Sequence, residues 1–155
     1  MINFDFCSPT KIYFGKNREK ELGSILKKQK CTKVLFHYGK SSIKELGLYD
    51  KIVNILNKEN IPFVELGGVE PNPKIDLVRQ GVELCKKEKV DFILAVGGGS
   101  VIDSAKLIGV ASKSTEDPWR FSIQEVKPKN TIRSFYSNIV TTNTDCIIIF
   151  CSSRI

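Results

Sequence analysis

"DFILAVGGGSVIDSAK", residues 91–106, joins an almost unbroken apolar run to three glycines and then to a stretch of helical character. A strand that is apolar at nearly every position is buried on both faces, because a half-wet strand alternates. Such a strand belongs in the middle of a sheet. In open α/β sheets ligands bind beyond the carboxyl ends of the strands, so the residues after Val96 are where function is to be sought. Gly97, Gly98 and Gly99 carry no side chains to keep a ligand away from the backbone. Ser100 is expected as the N-cap of a helix over "VIDSAKLIGVAS", with Asp103 as the acidic partner of a capping box. The helix then turns its positive end and free N–H groups toward the space the glycines leave, an arrangement that suits a phosphate or pyrophosphate. A plain tight turn needs one or two glycines; three in a row beyond a central strand favour the ligand-holding reading. The pattern is not G-x-G-x-x-G, because Ile102 stands where the third glycine would be.

Working outward, "KVLFHY" (33–38) and "PFVEL" (62–66) are two more short apolar runs, and with "DFILAV" they start at residues 33, 62 and 91, evenly 29 residues apart. That is the size of a strand-helix repeat. Between them, "IKELGLYDKIVNILNKEN" places Ile52, Ile55 and Leu56 at helical spacing. "KIDLVRQGVELCKKEK" does the same with Leu77, Val78, Val82, Leu84 and Cys85. Upstream, "NREKELGSILKKQK" brings Leu22, Ile25 and Leu26 to one side of a helix, preceded by "KIYFG", an edge strand ending at Gly15. The expected fold class is therefore α/β, a Rossmann-like parallel sheet flanked by helices.

The bulk numbers fit one such domain: 155 residues, 41% hydrophobic and 26% charged. Apolar runs are far shorter than a membrane span, and "MINFDFCSPTK" lacks the charged start and long apolar core of a secretory leader. A cytoplasmic address without membrane attachment is the expectation. Five cysteines (Cys7, Cys31, Cys85, Cys146, Cys151), scattered and without a Cys-x-x-Cys pair, read as reduced, semi-buried thiols. The net charge of +7 would suit an anionic partner, but the lysines of "KKQK" and "CKKEK" mix with glutamates on helix faces, so nucleic-acid binding is not expected.

"YGKSS", residues 38–42, imitates the end of a P-loop, yet the glycine required five residues before Gly39 is Val34, inside the strand. What remains is a turn at the end of "KVLFHY", lying beside the glycine turn on the same sheet edge. Many dinucleotide folds place a carboxylate at the end of a neighbouring strand, where it holds the ribose 2′-hydroxyl and repels a 2′-phosphate. This turn carries Gly39, Lys40, Ser41 and Ser42 instead, which predicts tolerance of NADP or preference for it; Lys40 and Lys44 read either as the charge for it or as ordinary surface lysines.

Taken together, "KIYFGKN", "YGKSSIKELGLYDKI", "GVEPNPKIDLVRQGVELCK", "VDFILAVGGGSVIDSAK" and "DPWRF" resemble, in this order, the iron-containing (group III) alcohol dehydrogenases, particularly their butanol dehydrogenase-like branch. The resemblance runs from about residue 10 to about residue 130. It implies an N-terminal domain that binds NADP or NAD, followed by an all-helical domain that holds a divalent metal, iron or zinc, and completes a site for an alcohol or aldehyde. By position it implies that Gly97, Gly98, Gly99 and Ser100 hold the pyrophosphate and that Asp103 lies near the nicotinamide. Gly39 and Ser42, with Ser41 beside them, would border the adenosine ribose, and Asn72 of "EPNP" would line the cleft. Trp119 and Phe121 are expected as packing residues, and Arg120 stands where the family would have an acidic one.

Past Asn130 the likeness fades into "TIRSFYSNIVTTNTDCIIIFCSSRI", whose "CIIIFC" is β-prone and an aggregation hazard if exposed. The resemblance implies one aspartate and three histidines as metal ligands, and this chain has a single histidine, His37, expected as a partly buried strand residue. The expected organisation is a cofactor-binding domain over 1–130 and a divergent tail over 131–155, with the helical domain absent, as a frameshift, early stop or truncated gene would leave it. Two activities follow as expectations: an NAD(P)-dependent alcohol dehydrogenase or aldehyde reductase by descent, and a non-catalytic nucleotide-binding remnant. A sugar-phosphate-binding α/β domain is a third reading. Loss of a covering domain would expose an apolar face and favour association of copies, so a homo-oligomer is possible.

Overall fold

The computed structural model describes residues 11–139 and 146–152. Strand β1 (Lys11–Lys16) leads through a 3-10 turn (Arg18–Glu21) into α1 (Leu22–Lys28), so the first expected helix is shorter than its sequence stretch and enters through a tighter coil. Then come β2 (Val34–Gly39), α2 (Ser42–Glu45), α3 (Leu48–Lys58), β3 (Phe63–Val69), α4 (Ile75–Lys87), β4 (Phe92–Val96), α5 (Gly99–Ala111), α6 (Pro118–Ser122), β5 (Arg133–Ile139) and β6 (Cys146–Ser152). The stretch expected as one helix over 43–60 is two, broken at Gly47, whose φ of 64° no helix accommodates.

One six-stranded sheet runs in the order β1-β6-β5-β4-β2-β3. The four strands β5, β4, β2 and β3 are parallel; β6 lies antiparallel to both β5 and β1. The expected parallel sheet is thus its main body, extended by an antiparallel pair. β1 is an edge strand as expected, reaching Lys16, and "CIIIFC" lies in β6 with a hydrogen-bonded neighbour on each side. Cys7 lies outside the described residues; Cys31 is half-buried, Cys85 is buried, and both are free thiols.

The even 29-residue rhythm has a local cause. Helices α1, α3 and α4 each end with a residue in the left-handed region, Lys30 (φ 52°), Asn60 (φ 54°) and Lys89 (φ 54°). In each case its N–H reaches back three residues, and the following N–H reaches back five, to Leu26, Leu56 and Cys85. This is the Schellman closure, and the residue after each reversal, Cys31, Ile61 or Val90, turns inward to start the path to the next strand. Asp91 ties two strand starts together by accepting from the backbone N–H groups of Thr32 and Lys33 at 3.0 Å.

Every residue of β4 is buried, and alternate side chains serve opposite layers. Phe92, Leu94 and Val96 pack with Phe36, Leu26, Ile52 and Leu56 beneath α1 and α3; Ile93 and Ala95 pack with Leu35, Val78, Val82 and Ile108 beneath α4 and α5. β4 therefore sits between β5 and β2 in the interior of the sheet with both faces covered, as its composition predicts.

Candidate functional site

The chain leaves β4 at its carboxyl end and turns into α5 within two residues. Gly97 makes the turn at φ 156°, and a Cβ there would lie 2.6 Å from Cγ2 of Val101, so only glycine fits. Gly98 is extended (φ −78°, ψ −171°) and is itself the N-cap of α5; its carbonyl accepts from the N–H of Val101 at 3.0 Å and of Ile102 at 3.2 Å. This corrects the expected cap. Ser100 is the second residue of the helix rather than its N-cap, and no side chain caps it. Asp103 closes no capping box either; it is exposed and pairs with Lys106 at 3.5 Å. A helix whose first N–H groups lack intrahelical acceptors, and which no side chain satisfies, keeps them for another acceptor. In front of Gly98 and Gly99 a Cβ would meet nothing within 4 Å. Backbone donors, the positive end of a 13-residue helix and an open approach coincide, which fits the pyrophosphate of a dinucleotide.

The neighbouring strands end at the same edge. Tyr38 of β2 is in register with Val96 of β4, and Gly39 with Val69 of β3. Gly39 approaches the first turn of α5, where its Cβ position lies 3.9 Å from Cγ2 of Val101. Ser41 precedes α2 and Ser42 begins it, both exposed and neither capping by side chain. Lys40 extends across to Glu70, the residue after β3, with Nζ 2.6 Å from Oε1, and Lys74 reaches the other oxygen at 3.4 Å. The Lys40 hydrogen bond, then its charge, holds the Glu70 carboxyl below its ordinary range. Sequence reasoning missed Glu70 because it sought a carboxylate on the β2 turn; the signal was an acidic residue directly after the run of "PFVELGGV". Asn72 stands exposed in the β3–α4 turn with φ 57°, a conformation its short amide tolerates.

Beneath this edge lies His37, fully buried in β2. Nδ1 lies 2.7 Å from the Leu66 carbonyl, which only accepts, so Nδ1 carries the proton; Nε2, 2.6 Å from Oγ of Ser104, then accepts from that hydroxyl. Desolvation lowers the imidazole pKa to about 4, against a smaller opposing effect of the Leu66 bond. His37 thus links β2, β3 and the second turn of α5. It is more deeply buried than expected, and Ser104, its partner, was not singled out in the sequence.

A family model of iron-containing alcohol dehydrogenases matches residues 9–147. The chain belongs to the iron-containing alcohol dehydrogenase family. NADH-dependent butanol dehydrogenase B of Clostridium acetobutylicum is 46% identical over 132 residues, 85% of this chain and 34% of that protein. The NADPH-dependent aldehyde reductase of Escherichia coli is 39% identical over 121 residues, covering 77% and 30%. Among solved structures, NADH-dependent butanol dehydrogenase A of Thermotoga maritima superposes with a TM-score of 0.83 at 42% identity over 86% of this chain and 34% of its own. The chain spans about a third of the length of these relatives.

The described residues offer no donor set for the metal that gives the iron-containing family its name. Among the described residues no group of three or more histidine, cysteine or acidic side chains converges, and both nitrogens of His37 are engaged. Nor is either described thiol prepared for ligation: burial, with Asp91 beside it, pushes Cys31 up to about 12, and burial pushes Cys85 up to about 11. Outside the glycine turn, a cleft of about 380 Å³ runs between α4, α5 and α6, walled by Ile75, Leu107, Val110 and Phe121 with Asp103 and Lys106 at its side. Trp119 borders it half exposed, so the expectation of a packing residue holds for Phe121 and not for Trp119. Arg120, where the family would place an acid, pairs with Glu116 and Glu125.

Proposed function

We propose that this chain binds NAD or NADP through the Gly97–Ser100 turn, as the cofactor-binding part of a metal-dependent alcohol dehydrogenase or aldehyde reductase acting on small substrates such as butanol or butyraldehyde. The observation that carries the reading is the open, uncapped N-terminus of α5 at the carboxyl end of the innermost strand. Gly98 and Gly99 give the pyrophosphate close access to backbone N–H groups, and the helix end stabilises its charge. Gly39, Lys40, Ser41 and Ser42 border the adenosine ribose, Asp103 lies toward the nicotinamide, and Asn72 lines the cleft. When bound, the dinucleotide supplies the hydride acceptor or donor at its nicotinamide ring. This chain's residues orient it, and His37 with Ser104 fixes the helix on which it rests.

Calorimetric titration of the 155-residue chain with NADH and NADPH tests the reading, beside a Gly98→Val variant. Binding that the variant loses supports it; equal binding by the variant overturns it. A second reading, a nucleotide-binding chain without catalysis of its own, is favoured by the missing metal donor set among the described residues. Turnover of butyraldehyde with NADPH in the presence of iron or zinc decides against that reading. Residues 1–130 are proposed as the cofactor domain and 131–155 as a divergent tail, which supplies β5 and β6.

A further inference from the structure

We propose that Glu70 is the residue that decides between NAD and NADP, by neutralising Lys40 at the point where the ribose 2′ position would lie. The inference rests on the cofactor reading above and deepens it. In open α/β folds the pyrophosphate sits at the glycine turn and the adenosine ribose over the carboxyl end of the neighbouring strand. Here that neighbour is β2, in register with β4 up to Tyr38 and Val96. The two residues next in line beyond the paired ends of β2 and β3, Lys40 and Glu70, are the ones joined at 2.6 Å, beside Gly39 and its approach to Val101.

A 2′-phosphate binds where cationic groups are free to meet it. Lys40 is the cation nearest the end of β2, and Glu70 occupies it; Lys74 is the same carboxylate's second partner at 3.4 Å. Glu70 therefore acts twice against NADP. It ties up two ammonium groups, and it places a negative charge beside the incoming phosphate. Toward NAD the same carboxylate is an acceptor for the 2′-hydroxyl. All three side chains are partly exposed, at 62%, 38% and 76%, so the charges are solvated and adjustable rather than locked in a core. Of the two lysines that argue for NADP in the sequence, Lys40 is thus restrained by an acid just past a different strand, while Lys44 lies over the Tyr49 ring.

The test is the ratio of dissociation constants for NADPH and NADH, titrated into the full chain and into Glu70→Gln, an isosteric change at a surface position. The ratio is expected to fall by about two- to fivefold in Glu70→Gln, the scale of one exposed charge interaction. Adding Lys40→Ala to that variant is expected to return it. Adenosine 2′,5′-bisphosphate and ADP as probes should show the same shift, which ties the effect to the 2′ group. If both dinucleotides bind and the ratio is unchanged in Glu70→Gln, the role of Glu70 is overturned while the cofactor reading stands. If neither binds the folded wild-type chain, the cofactor reading fails and this inference with it.

Discussion

Burial of His37 between Leu66 and Ser104 gives the fold an acid-sensitive joint. Its folded-state pKa, about 4, lies below the ordinary 6.5, so between these values the unfolded chain binds a proton that the folded one refuses. This part of the stability is whole above pH 6.5 and is lost as the pH falls toward 4, in total by roughly 3 kcal/mol. Urea unfolding of wild type and His37→Gln at pH 7 and pH 5 should show a shallower pH dependence in the variant; parallel behaviour would remove His37 as the cause. Gly97 and Gly98, adjacent in sequence, should respond oppositely to alanine. At Gly97 the positive φ and the 2.6 Å approach to Val101 make Gly97→Ala destabilising by roughly 1–3 kcal/mol. At Gly98 the backbone is ordinary and the space open, so Gly98→Ala should leave stability within about 0.5 kcal/mol of wild type while weakening NADH binding. Denaturation and calorimetry on the two variants separate fold from site.

At the scale of elements, the three matching helix ends invite improvement. Lys30 and Lys89 hold left-handed backbone at a cost that glycine does not carry, so Lys30→Gly and Lys89→Gly should each stabilise by about 0.5–1 kcal/mol in chemical unfolding. Asn60 tolerates that conformation better and should gain less. The short α6 depends on one side chain. Asp117 accepts from the N–H of Trp119 at 2.9 Å and from Nε of Arg79 at 3.0 Å, which fixes α6 against α4. Trp119 is the chain's single tryptophan and half exposed, so its fluorescence reports on this element. Arg79→Ala should shift Trp119 emission toward that of a fully solvated indole, and an unchanged spectrum would mean that α6 is held by Phe121 and Pro118 alone.

Across the whole molecule, β4 belongs to both layers at once. Ile93→Ala and Leu94→Ala empty opposite faces of one strand, and each should cost about 2–5 kcal/mol while unfolding stays a single transition. The positions of β2, β3 and β4, the apolar faces of α1, α3 and α4, and the glycine turn were all legible in the sequence. Each is written in contiguous residues: a period, an unbroken apolar run, a glycine cluster. Ser100 has the chemistry of a helix cap, but the backbone enters the helix at Gly98, two residues earlier. Trp119 of "DPWRF" is expected as a packing residue, but its exposure depends on where α6 lies against α5. The sequence by itself determined the strand-helix rhythm, the central place of "DFILAV" and the glycine turn that follows, since these rest on local periodicity and on what a side chain, or its absence, permits. Only the tertiary structure decided that Glu70 meets Lys40, that Ser104 meets His37, and that β6 inserts between β1 and β5, because such pairings join residues far apart in the chain and are fixed by strand order and register.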